Sequence, residues 1–230
     1  MTSEPGARAP MDMPLWKILA LIGLQTSAFT LAGWFLWRLA READADFVTF
    51  ALWEIGYGLA LAGALILASA ALAYWSPKLM ENLVRAQAST YPFLKDKLRV
   101  GPIVFLSLCA GIGEEALFRG GLQTLFGNAM PTALAVILAS TLFAAIHFAK
   151  PLISALIFAI GCLFGSIYWA TGSLLTVMIG HAVYDIYAIW ALQEAFHKLG
   201  VFDASDGAVL PDAAAHETLA QTQETTGEDS

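Results

Sequence analysis

Apolar residues along this chain come in solid blocks separated by short polar stretches. Uncharged runs cover Ile18–Trp37 (20 residues), Ile55–Pro77 (23), Val100–Gly113 (14), Gly120–Ala149 (30) and Pro151–Tyr184 (34). About 20 helical residues cross the hydrocarbon core of a bilayer. A membrane barrel would instead show segments of about 10 residues with strict alternation. The runs are solid, so the pattern predicts an all-α polytopic membrane protein. Six transmembrane helices are expected, at about 15–38, 49–75, 101–122, 131–149, 151–170 and 174–193. Gly127, Asn128 and Pro131 punctuate the chain between the third and fourth, Lys150-Pro151 between the fourth and fifth, and Thr171-Gly172-Ser173 between the fifth and sixth. The first run is too long for a signal-peptide core and reads as an uncleaved anchor.

The polar stretches add organisation. Between the second and third helices lie Lys78, Arg85, Lys95, Lys97 and Arg99, against Arg38 and Arg41 in the first connection. Basic residues of short loops stay on the cytoplasmic side. Both termini and the 76–100 loop are therefore expected in the cytoplasm, in a bacterial inner membrane. Leu79 to Leu98 reads as an interfacial amphipathic helix broken near Pro92. Trp16, Trp34, Trp37, Trp53, Trp75 and Trp190 fall near helix ends and read as interface anchors, and Glu54 as marking the headgroup boundary. The expected units are an N-terminal segment (1–14), two helices with the cytoplasmic loop (15–100), a four-helix core (101–193) and an acidic disordered tail (203–230).

Composition sharpens this picture. Hydrophobic residues make up 58% of the chain and charged residues 13%, about half the usual charged share. That excludes a wholly disordered chain. It also argues against nucleic acid as a partner, since no basic patch is available for phosphates. Membrane lipid and a membrane-bound protein or peptide are the partners that fit. The net charge of -7 comes from seven acids in the tail, because residues 1–202 hold 12 basic and 12 acidic groups. Cys109 and Cys162 lie in separate apolar runs and form no disulfide framework.

The informative charges are those inside the apolar helices: Glu114, Glu115, Arg119, His147, His181 and Asp185. An Asp, Lys or Arg at mid-membrane costs about 2.5–3.5 kcal/mol. Several together cost on the order of 10 kcal/mol, as much as a typical domain's stability. They should therefore converge in the bundle interior. Glu115 and Arg119 are one helical turn apart and suit an ion pair. Glu114 projects about 100° away and can face a different cavity. His181 and Asp185 share one helix face, and Phe143 and His147 repeat the spacing. A carboxylate in a low-dielectric pocket can act as a base on water. Imidazoles can bind a metal or stabilise an oxyanion. The set suits amide hydrolysis by activated water, and no serine or cysteine nucleophile has a paired base in the sequence.

Three motifs carry a resemblance. Glu114-Glu115-Ala116-Leu117-Phe118-Arg119 resembles the EExxxR motif of the CPBP (Abi) family, which contains the type II CAAX prenyl endopeptidases. Phe143-Ala144-Ala145-Ile146-His147 resembles its FxxxH motif, and His181-Ala182-Val183-Tyr184-Asp185 its Hxxx(N/D) motif. The three occur in the family's order, and the resemblance covers about 100 to 193. It implies an intramembrane endopeptidase of the glutamate type, historically described as a metalloprotease. By this resemblance Glu114 is the base that activates water. His147 and His181 position that water, bind a metal or stabilise the oxyanion, and Glu115 and Arg119 pair to orient the first motif. Asp185 stands where CAAX-processing enzymes commonly have Asn. A divalent metal such as zinc would take His147, His181 and Asp185 as ligands, and a metal-free mechanism is the other form. Phe143 is expected to pack against the site.

Two other functions use the same residues. Buried Glu, His and Asp also make the proton relay of a proton-coupled transporter, although no inverted repeat is present. A non-catalytic immunity or assembly partner would carry the motifs silently.

Overall fold

The computed structural model describes residues 13–40 and 46–202. Most of the expected N-terminal segment and the acidic tail lie outside the described residues, as does Arg41 among the charges weighed for orientation. The described residues form helices and no strands: α1 (Leu15–Ala40), α2 (Leu52–Trp75), α3 (Pro77–Gln87), α4 (Val100–Gly127), α5 (Thr132–Ala145), α6 (Pro151–Thr171) and α7 (Leu174–Lys198). Of these, α1, α2, α4, α6 and α7 are long and apolar enough to cross a membrane. The protein is an all-helical polytopic membrane protein.

The fourth expected span is shorter than its apolar run. α5 has 14 residues, about 21 Å of helix at 1.5 Å per residue. It stops at Ala145 instead of 149 because the chain turns at 146–148, and Lys150 before Pro151 is extended at ψ 149°. Phe148 takes φ 45° to make the turn, a left-handed conformation that costs a bulky residue about 1–2 kcal/mol. His147 thus sits in a turn just past the helix rather than within it. α4, by contrast, runs past 122 to Gly127. Its middle, Ala116–Gln123, widens into π-helix, a geometry common at functional sites.

α7 is the axis of the bundle, with α2 and α4 against it. α1 lies along α4, and α5 pairs with α6. The α4–α7 approach is close because Gly111 has no side chain. A Cβ there would lie 2.8 Å from the Ala182 Cβ and from the Met178 carbonyl oxygen. Between α6 and α7 the expected punctuators act as read. Gly172 closes α6 in the left-handed region at φ 66°, and the Ser173 hydroxyl accepts the Thr176 N–H to cap α7.

Glu54 is turned inward at the start of α2. It is buried, and its carboxylate accepts the Ala51 N–H at 2.6 Å and the Thr49 hydroxyl. It closes the first turn of α2 from inside the protein, and that turn begins at Leu52 rather than 49. Trp37 is no anchor: it is buried with its ring 5.4 Å from that of Phe47. Trp16, Trp34, Trp53, Trp75 and Trp190 are exposed, as anchors require.

The loop after α2 folds back as a roof. α3 starts with Pro77 in its first turn and ends at Gln87, before a single 3-10 turn at Pro92–Leu94. Leu94, Val84 and Phe196 form its apolar contact with α7. The buried Gln193 amide accepts the Leu98 N–H at 2.7 Å, and Lys97 pairs with Glu194 at 2.6 Å.

Gly111→Ala is expected to destabilise the bundle by about 1–3 kcal/mol through overpacking. Gly56, which has open space where a Cβ would go, should accept Ala without loss. Thermal unfolding of both variants in detergent is the check. Equal melting temperatures would refute the close α4–α7 approach.

Candidate active site

The π-helical turn sets the site. Glu115 is the last α-helical residue before it, and Arg119 lies inside it. Both side chains are fully buried, with Arg119 Nε 3.2 Å from Glu115 Oε2. Arg119 Nη2 donates to the Gly161 carbonyl at 3.0 Å. Its guanidinium carbon stands 4.6 Å from the Phe143 ring centre and 5.8 Å from that of Phe164. The charge is thus held by a carboxylate, a carbonyl and two aromatic faces.

The other Glu115 oxygen faces α7. His181 Nδ1 lies 2.8 Å from Glu115 Oε1, and because the carboxylate accepts, Nδ1 carries the proton. His181 Nε2 then points toward Asp185 Oδ2 at 3.5 Å and Glu114 Oε2 at 3.9 Å. One line of contacts therefore runs from Gly161 through Arg119 and Glu115 to His181, ending between Glu114 and Asp185.

The two neighbouring glutamates differ in surroundings. Glu115 is closed off on every side. Glu114 keeps 15% of its side chain open and Asp185 25%, and both line a cavity of about 730 Å³ together with His147 and His181. His147 Nδ1 lies 2.7 Å from the Phe143 carbonyl, to which it donates, so its Nε2 is left for the cavity. The Phe143 ring touches both imidazoles, at 4.8 Å from His147 and 6.2 Å from His181. Its expected packing role is therefore combined with cover for Arg119.

All six motif residues thus come to one place, four of them from α4 and α7 in a single hydrogen-bonded and ionic chain with Asp185 at its end. Among the described residues no three His, Cys, Asp or Glu side chains are grouped as metal ligands. His181 and His147 each spend the Nδ1–H on a protein acceptor and turn Nε2 toward the cavity.

One cavity residue carried no signal in the sequence. Tyr91, from the roof loop, lines the same cavity. Burial, then the charges of Asp185 and Glu114, push its phenol up to about 12. It lies in no motif and in no apolar run.

The comparisons with known proteins bear on the family of the chain. Residues 97–187 match the family model described as type II CAAX prenyl endopeptidase Rce1-like. The chain is also similar to the uncharacterized protein YpbD of Bacillus subtilis (strain 168), at 32% identity over 157 residues. That alignment covers 64% of this chain and 76% of YpbD. No solved structure matches. The apolar helices and the family match give an integral membrane protein of a protease family. The chain belongs to the Rce1-like type II CAAX prenyl endopeptidase family.

Removing one partner of a buried pair leaves the other charge uncompensated, at a cost of about 3–5 kcal/mol. Arg119→Met should lose that much stability. The double variant Glu115→Gln/Arg119→Met should lose less than the sum of the single changes. A double-mutant cycle of unfolding in micelles measures the coupling, and strict additivity would refute it.

Proposed function

We propose that this protein is an intramembrane endopeptidase in which Glu114 activates a water to hydrolyse a peptide bond of a membrane-associated protein or peptide. The observation that carries the reading is the contrast between the two glutamates. Glu115 is fully buried between Arg119 and His181, whereas Glu114 is open to the cavity. The 3.9 Å between Glu114 Oε2 and His181 Nε2 is too long for a direct hydrogen bond. It is a separation that one water can share.

In this reading Glu114 takes a proton from the shared water as the water oxygen attacks the carbonyl carbon. The C=O electron pair moves onto oxygen. Protonated Glu114 then gives its proton to the amine as the C–N bond breaks. His181 and His147 orient the water, Asp185 holds His181, and Glu115 with Arg119 fixes the imidazole's tautomer. The steps use side chains alone. The low-dielectric cavity strengthens each of these interactions.

The cavity is largely apolar, with Ile22, Phe29, Ile153 and Ile157 in its wall, which supports lateral entry of a lipid-embedded substrate. The basic residues of the 76–100 loop support cytoplasmic termini and a site reached from the cytoplasmic side. The similarity to a Bacillus subtilis protein supports a bacterial membrane.

The test compares peptide termini in membranes of cells expressing the wild type or Glu114→Gln. New termini should appear with the wild type. Loss of the general base should lower their rate by about 10²–10⁴-fold, with expression and melting temperature unchanged. Equal termini in both would overturn the hydrolytic reading and favour the silent partner. Treatment with a chelator should leave the rate unchanged; a loss restored by zinc would replace the side-chain mechanism with a metal one.

A further inference from the structure

One wall of the cavity comes from a helix that carries none of the three motifs. Ile18, Ile22, Gln25, Thr26 and Phe29 of α1 all line it. They recur at helical spacing and form one face. Packing fixes this face at the level of the site. Thr26 Cα and Cγ2 stand 3.0 and 3.2 Å from where a Cβ on Gly113 would lie, and Gly113 directly precedes Glu114. The Thr26 hydroxyl also donates to the Cys109 carbonyl of α4 at 3.1 Å. The Phe29 ring is 6.4 Å from that of Phe118, which is 5.3 Å from that of Phe143, which is 4.8 Å from that of His147. Gln25 is the chain neighbour of Thr26 and lies one turn from Phe29. It occupies the exposed edge of the face.

Gln25 lies well inside a helix long and apolar enough to cross the membrane. Its polar neighbours there satisfy themselves. Thr26 donates to the Ile22 and Cys109 carbonyls, and Ser27 to the Gly23 carbonyl. Gln25 differs: among the described residues its amide makes no hydrogen bond. That amide offers two donors and an acceptor, which are costly to leave unmade away from water. A peptide entering from the lipid brings the matching groups. Its backbone N–H and C=O give up water on entry and need partners inside the protein. The isoleucines of the wall, Ile22, Ile153 and Ile157, offer none.

We propose that Gln25 is a substrate-binding residue whose side-chain amide clamps the main chain of an incoming extended peptide beside Glu114. Its NH2 donates to a backbone carbonyl of the peptide, and its oxygen accepts a backbone N–H close to the scissile bond. The proposal rests on the hydrolytic reading above and names what this wall recognises, which is peptide backbone irrespective of side-chain sequence. The clamped groups lie outside the reacting amide. They are held equally in the ground state and the transition state, so the clamp acts on KM and not on kcat.

The test uses the full chain in proteoliposomes. The probe is a fluorogenic peptide spanning the bond identified by comparing wild-type and Glu114→Gln termini. Gln25→Leu keeps an extended side chain and removes the donors and the acceptor. It should raise KM about 5–10-fold, the net worth of one or two hydrogen bonds, and leave kcat within about twofold. A series of the same peptide, with an ester replacing one non-scissile amide at a time, removes single N–H donors. One member should raise KM with the wild type and have no further effect with Gln25→Leu. Melting temperature and oligomeric state should be unchanged. A KM within about twofold of wild type, with Glu114→Gln inactive, overturns the clamp and leaves the hydrolytic reading standing. Ester effects that are the same in both proteins overturn it as well. A lower melting temperature or a smaller oligomer in Gln25→Leu also overturns it, and assigns Gln25 to packing or to contact between copies of the chain. Cleavage that persists in Glu114→Gln overturns both readings.

Discussion

A buried ion pair organises this protein. Glu115 and Arg119 have no exposed side-chain surface, and two charges without water cost several kcal/mol each unless every group finds a partner. The partners come from three other helices. α6 gives the Gly161 carbonyl and Phe164, α5 gives Phe143, and α7 gives His181. Surrounding this one pair therefore draws four helices together. The π-helical turn belongs to the same constraint, because it lies where α4 must present both Arg119 and the backbone packed beside α1.

The same pair separates the roles of two adjacent, chemically identical residues. A hundred degrees of helix puts Glu115 into the network and Glu114 into the cavity. The first is spent on structure and on the orientation of an imidazole. The second keeps the free lone pairs that chemistry needs. Neither role is a property of glutamate; each follows from what surrounds it.

Most of the bundle could be read in the sequence because membrane helices announce themselves by length and apolarity. The motif spacing also gave the Glu115–Arg119 pair and the shared face of His181 and Asp185. The misreadings have local causes. The apolar run continued past Ala145, but the backbone turns at Phe148 and is extended at Lys150 before Pro151, in spite of composition. The burial of Glu54 was not legible, since hydropathy cannot show that Thr49 and the Ala51 N–H fold back onto it. Trp37 and the other tryptophans share a residue type and a place near helix ends, and only tertiary contact with Phe47 distinguishes it. Tyr91 enters from a loop far in sequence from any motif, so no spacing could assign it to the cavity.

The short α5 has a consequence for the lipid around it. About 21 Å of helix cannot match a hydrocarbon core about 30 Å thick, and the turn that follows carries backbone groups that need water or protein. A bilayer matches a helix this short by thinning beside it, at a cost of fractions of a kcal/mol per Å. Thinning there would bring headgroups and water toward the turn that carries His147. Acyl-chain length thereby becomes a variable of the site, setting how far the membrane must bend for water and a lipid-held peptide to arrive at the same depth.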